Sequence, residues 1–244
     1  MFEAKSIIKK YGSYEALNSI SISVHPGSPT IVMGPSGGGK STLVRALAFI
    51  DPADSGEFFL DGHKISKTKV CSEPDGFWPA VTVVFQQLFL WPHMTIQENI
   101  KFPLHINGLS DEDFDDLIRR LGISEIIHRY PNQVSVGQRQ RAALARALLL
   151  KPRFLLLDEI TASLDVEQIN ELTSILTEQM DKGTGLLVVT HHLGFAKTLM
   201  KNRESSRFIF LEKGSAIESG DFTNFLTPTT KRVKSFISAI QSVA

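Results

Sequence analysis

The stretch GPSGGGKST, residues 34–42, follows the apolar run TIVM and opens a helix-forming segment, KSTLVRALAFI at 40–50. It fits G-x-x-x-x-G-K-[ST], with Gly34, Gly39, Lys40 and Ser41 at the fixed positions. Glycines let the backbone turn its N–H groups inward around phosphates, and the N-terminal end of the following helix adds positive potential for an anion. The cradle is therefore expected to comprise Gly34, Pro35, Ser36, Gly37, Gly38, Gly39, Lys40, Ser41 and Thr42. Lys40 is expected to reach the β- and γ-phosphates of a nucleotide as a point charge, and the Ser41 hydroxyl to bind Mg2+. By itself this cradle does not distinguish kinases, GTPases, motors and transport ATPases. A glycine-rich turn without a ligand is the competing reading, and a strand before it and a helix after it argue against that.

Short β-rich runs bounded by turn residues recur along the chain: SISV, TIVM, EFFLDG, VTVVF, FLLLD, GLLVVT and RFIFLEKG. Several are apolar at consecutive positions, as in parallel strands covered on both faces. Helical patterns stand between them, at 40–50, at 138–150 (QRQRAALARALLL) and at 166–180 (VEQINELTSILTEQM). This alternation implies a wound α/β fold, and taken with the phosphate-binding motif the core expected at residues 1–87 and 151–244 is a P-loop NTPase (RecA-like) one. The Asp61-Gly62 turn between apolar runs predicts a hairpin, and hence a small antiparallel β subdomain. Residues 88–150 show almost no strand pattern. Within them DEDFDDLIRRLGISEIIHRY reads as one amphipathic helix, so an inserted α-helical subdomain is expected there.

A second element narrows the chemistry. FLLLDE ends an apolar strand in two carboxylates, Asp158 and Glu159. Asp158 at the strand end can hold Mg2+, commonly through water, and Glu159 can polarise the water that attacks the γ-phosphate. A strand ending in an acidic loop is common by itself, but becomes an improbable reading once a phosphate loop precedes it on another strand.

Charge and apolar runs exclude other classes. Lys plus Arg equals Asp plus Glu, 26 each, so no long-range field draws the chain to nucleic acid or anionic lipid. The apolar run AALARALLL, broken by Arg146, falls far short of the roughly 20 residues that cross a bilayer. The first residues lack the apolar core of a secretory signal, and Cys71 is the only cysteine, which fits a reducing cytoplasm. Cys71 has no thiol or histidine cluster near it in sequence and reads as a plain loop residue.

Between the phosphate loop and the acidic strand end lies VSVGQRQR, residues 134–141. Here the chain resembles the nucleotide-binding subunits of ABC transporters, whose signature reads LSGGQ just upstream of such a strand. Within that resemblance Tyr11 is an adenine-stacking aromatic, Gln86 in VFQQ the Q-loop, Asp165 in ASLD the D-loop and His191 in VVTHH the switch histidine. Taken singly, Tyr11 could be a surface aromatic, Gln86 a strand end and His191 a satisfied histidine. In a phosphate-loop ATPase a strand-end histidine can contact the γ-phosphate, and a strand-end glutamine can reach the metal and the attacking water. The neighbouring His192 points the other way on an extended chain and should not share that role. The resemblance implies Glu159, His191, Gln86 and Lys40 as catalytic residues and Ser41, Gln86 and Asp158 around Mg2+. It also implies a homodimer that sandwiches two ATP head to tail, with Ser135, Gly137 and Gln138 of each chain completing the other's site.

Three departures from the family pattern stand out. Val136 replaces the first signature glycine, which would be strained if that position needs positive φ. Ile160 replaces the proline that usually follows the glutamate, and MKNRESSR at 200–207 is slightly long. None removes a phosphate-contacting group, so an active ATPase is expected. The family further implies integral membrane permease subunits contacting the helical subdomain from Gln86 to Ile100, where Phe89, Leu90, Trp91 and Pro92 form an apolar cluster. An external solute-binding protein acting through the permease, and a peripheral position on the cytoplasmic face of the membrane, follow from the same resemblance. The segment 86–100, the stretch THHLGFAK and the absence of a long C-terminal regulatory domain are similar to the polar amino-acid uptake branch; an ATPase of a lipoprotein-release or cell-division complex is the alternative.

Overall fold

The computed structural model describes residues 1–65, 77–162 and 164–241. Cys71 lies outside them. In chain order, β1 (Phe2–Tyr11), β2 (Tyr14–Val24) and β3 (Pro29–Met33) lead into α1 (Lys40–Leu47), followed by β4 (Ser55–Leu60) and β5 (His63–Ile65). After the short α2 (Phe77–Ala80) and β6 (Val81–Val84) come α3 (Ile96–Asn107), α4 (Phe114–Arg120) and α5 (Val136–Leu148). The chain then alternates through β7 (Phe154–Asp158), α6 (Val166–Asp181), β8 (Gly185–Val189), α7 (Leu193–Met200), β9 (Arg207–Glu212) and β10 (Ser215–Gly220), and ends in α8 (Phe222–Leu226) and α9 (Lys231–Gln241).

The strands sort by their burial patterns. Every residue of β3, β7 and β8 is buried, and these sit inside a sheet ordered β10-β9-β3-β8-β7-β6. All its neighbours pair in parallel except β10, which lies antiparallel on β9. Successive side chains of a strand point to opposite faces, and here each face has its own core. Ile31, Met33, Leu155 and Leu157 pack with α3, α5, α6 and α7, whereas Val32, Phe154, Leu156 and Leu187 pack with α1 and the second sheet. Truncating one of these, Leu156→Ala for instance, removes a wholly buried side chain and should cost about 2–5 kcal/mol.

The second sheet, ordered β2-β1-β4-β5, is antiparallel throughout and mixes buried with exposed residues. Its β4–β5 hairpin turns at Asp61 and Gly62, both at positive φ (51° and 80°), as a two-residue turn matching the strand twist requires. This is the small antiparallel sheet expected from the sequence.

The segment 111–130 departs from the single amphipathic helix expected of it. Helix α4 stops at Arg120, Gly122 takes φ 61° and a 3-10 turn at Ser124–Ile126 follows. The left-handed glycine ends the helix where the apolar period would have continued it. Strand β10, SAIESG, carries too little apolar character to announce itself and is held by pairing with β9.

Candidate functional site

The phosphate loop joins the buried β3 to α1. Gly34 sits at φ 145°, and a Cβ there would fall 1.9 Å from the Leu211 carbonyl oxygen; at Gly39, φ 102°, it would fall 2.6 Å from that of Ala16. Both positions therefore require glycine on two counts, conformation and space. Gly39 caps α1 without a side chain, which leaves the helix's first N–H groups open toward the loop.

Lys40 folds back into this loop. It is only 5% exposed, and its Nζ donates to the carbonyls of Gly34 (2.9 Å) and Pro35 (3.0 Å), 3.8 Å from Oε1 of Glu159. Burial lowers its pKa, against the opposing pull of Glu159 and Asp158. Asp158, the last residue of β7, is 3% exposed and lies beside the Ser41 side chain. Burial pushes its carboxyl up from the usual carboxylate range, against the Ser41 side chain, which draws it down. Its Oδ1 is buried with no hydrogen-bond partner among the described residues. Buried polar atoms are almost always partnered, so this orphan oxygen beside a serine hydroxyl suits a hard cation that takes its remaining ligands from phosphate and water. Among the described residues no three His, Cys, Asp or Glu side chains could hold a metal together.

Glu159 takes φ 51°, uncommon for a side chain with a Cβ. Its N–H donates to Val189 O at 3.0 Å, fixing it to the end of β8, and His191 follows two residues later. Oε1 of Glu159 lies 2.9 Å from His191 Nε2. Lys40 from the start of α1, Asp158 and Glu159 from the end of β7, and His191 from just past β8 are thus brought together. His192 is spoken for elsewhere: its Nδ1 accepts the Phe195 N–H at 2.9 Å and caps α7.

An open cleft of about 420 Å3 runs from these groups to the β1–β2 turn, lined by Tyr11, Tyr14, Ser36, Lys40, Gln86 and Glu159 among others. Tyr11 is 46% exposed, and its hydroxyl donates to Asp51. Tyr14 pairs with Tyr11 across the turn, and its hydroxyl reaches Gly37 O at 3.5 Å. Sequence reasoning did not single out Tyr14 or Asp51. The Y-G-S-Y spacing, two aromatics flanking a hairpin turn beside the phosphate loop, was a usable signal for the first; nothing local pointed to the second.

Ser135, Gly137, Gln138 and Asp165 are not among the cleft's lining residues. Ser135 and Gln138 form a reciprocal capping box at the start of α5, with Gln138 N–H to Ser135 Oγ at 3.2 Å and Ser135 N–H to Gln138 Oε1 at 2.9 Å. Asp165 caps α6 by accepting the Gln168 N–H at 2.8 Å. A Cβ on Gly137 would meet Gln168 Oε1 at 3.0 Å, so the two helix starts lie side by side. Val136 occupies the first turn of α5 and is not among the residues at positive φ, so the strain feared there does not arise. Ile160 is buried in the core beside α5 and α6.

The family model described as ABC transporter matches residues 17–162. The Glutamine transport ATP-binding protein GlnQ of Escherichia coli (strain K12) is 35% identical over 98% of this chain and 100% of its own length. The Arginine transport ATP-binding protein ArtM of Bacillus subtilis (strain 168) is 34% identical over the same shares. Among solved structures, the dimeric post-hydrolysis state of the ATP-binding cassette MJ0796 bound to ADP and Pi is 28% identical, with a TM-score of 0.77 over 91% of this chain and 99% of that one. A family model covering more than half of the chain, and relatives matched end to end, agree with the phosphate loop and acidic strand end: the chain belongs to the ABC transporter family.

Proposed function

We propose that this chain is the ATP-hydrolysing subunit of an ABC transporter that imports polar amino acids. The observation that carries the ATPase reading is the convergence of Lys40, Asp158, Glu159 and His191 on the phosphate loop. Glu159 is the general base: its carboxylate takes a proton from the attacking water, and His191, 2.9 Å away, holds that carboxylate in line. Lys40 exchanges its two carbonyl partners for β- and γ-phosphate oxygens. Ser41 and Asp158 would hold Mg2+, with Gln86 at the cleft mouth, and the bound ion would supply charge neutralisation on the phosphates. Tyr11 stacks on the adenine.

Two copies close head to tail, each giving Ser135, the N–H of Gly137 and Gln138 to its twin's nucleotide, with Asp165 beside them. The dimeric state of MJ0796 supports this arrangement. So does the position of these residues, which are not among those lining their own chain's cleft.

The permease is read as docking on the helical part, residues 88–150. Phe89 is 55% exposed, while the Arg146 guanidinium, donating to the carbonyls of Leu88 (2.8 Å) and Phe89 (2.9 Å), ties this segment to α5. A groove of about 600 Å3 beside it is lined by Ile50, Trp78, Pro103, Asn107 and Arg146. Trp91 packs on Phe102 and under Arg146, so it braces this surface as well as contributing to it. Among the described residues no helix is long and apolar enough to cross a membrane, and the subunit is read as held at the cytoplasmic face by the permease, with a solute-binding protein outside. The substrate class rests on the amino-acid transport proteins matched over nearly their whole length. Co-purifying the permease and assaying ATP hydrolysis in vesicles tests it: stimulation by glutamine or a basic amino acid with its binding protein is expected, and stimulation only by a lipoprotein or a non-amino-acid solute would overturn it.

A further inference from the structure

Tyr11 is tethered. Its hydroxyl donates to Oδ2 of Asp51, and Oδ1 of the same carboxylate accepts Lys9 Nζ at 2.5 Å. Lys9 is 8% exposed, also donates to Pro52 O at 2.8 Å, and lies 5.3 Å from the centre of the Tyr11 ring. The carboxylate is thus held at both oxygens, between a buried ammonium and a phenol. These contacts, the Lys9 hydrogen bond first and Tyr11 next, hold the Asp51 carboxyl below its usual range, so the bridge is ionised at neutral pH.

The place of Asp51 in the fold gives the tether a consequence. It stands just past the end of α1, the helix whose other end is the phosphate loop, and its N–H is bonded to Arg45 O of that helix at 3.3 Å. One rigid helix therefore carries the phosphate loop at its start and the anchor of the rim aromatic at its finish. We propose that Asp51, backed by Lys9, is a positioning residue that fixes the Tyr11 ring at a set span from the phosphate loop, so that the cleft favours a ligand with an aromatic base at that distance from its triphosphate. This rests on the reading of Tyr11 as the base-stacking residue.

The test compares ATP with tripolyphosphate, which lacks the base, in calorimetric titrations of the full chain and of Tyr11→Ala, Tyr11→Phe, Asp51→Ala and the Tyr11→Phe/Asp51→Ala double variant. Tyr11→Phe keeps the ring and removes only the tether, so it reports even where Asp51→Ala, which strands a buried ammonium, folds poorly. Tyr11→Phe and Asp51→Ala should each weaken ATP about two- to tenfold, the scale of one hydrogen bond. The double variant should be no weaker than either, and tripolyphosphate should bind all of them alike. If Tyr11→Ala weakens ATP but Tyr11→Phe does not, stacking stands and the tether is overturned. If Tyr11→Ala leaves ATP binding unchanged, the stacking reading falls and takes the tether with it. Equal loss of ATP and tripolyphosphate in Asp51→Ala would make Asp51 a structural residue only.

Discussion

The phosphate-loop cleft and the signature helix start differ in what their polar groups are bonded to. In the cleft, functional side chains meet across long sequence gaps: Lys40 beside Glu159, and Glu159 on His191. At the start of α5, Ser135 and Gln138 are bonded only three residues apart, to each other's backbone. The first region is organised to receive a ligand from within its own chain. The second is a finished helix cap on the surface, and its hydroxyl and N–H groups gain a further role only when something is brought to them. On the proposed reading, one chain contains a phosphate site and, elsewhere, the part that completes its twin's.

The comparison breaks most visibly at Glu159. Glu159→Gln keeps the shape and removes the base, so kcat should fall by about 100-fold or more while ATP still binds; hydrolysis at the original rate would assign the base elsewhere. Lys40→Met should weaken ATP binding by about 10- to 100-fold, the scale of a charge-assisted hydrogen bond, as titration of the isolated chain would read. Ser135→Asp sharpens the contrast between the regions, since aspartate is as good a helix cap as serine but carries charge. Its melting temperature should stay near that of the parent while hydrolysis is lost through repulsion of the partner's phosphate. Ser135→Ala should instead cost about 1 kcal/mol of stability.

Acid should act on stability more weakly. Asp51, Asp61 and Glu178 are held below their usual range, by Lys9 and Tyr11, by the chain's N-terminal amine and Arg153, and by Lys182 and Arg120. A depressed folded-state pKa contributes stability above the unfolded value and loses it as pH falls through the folded one. Thermal melts should therefore decline below about pH 5 as these three carboxylates protonate.

How much of this could be read in advance follows from the range of each interaction. The phosphate loop, the strand ending in Asp158 and Glu159, and the hairpin at Asp61-Gly62 are local, so residue type and spacing announce them. Helix α3 is equally local, its Thr95–Glu98 capping box present in the letters TIQE. The left-handed Gly122 that ends α4, and the pairing that makes a strand of the polar SAIESG, are tertiary outcomes. The Glu159–His191 contact and the Lys9–Asp51–Tyr11 bridge join residues from separate elements, and no spacing encodes them.

The most direct test of the account is sedimentation of the Glu159→Gln chain saturated with Mg-ATP, alongside the Ser135→Asp/Glu159→Gln form. The account predicts a dimer for the first, a monomer for the second, and monomers for both without nucleotide. A Glu159→Gln chain that binds ATP and still sediments as a monomer would contradict it.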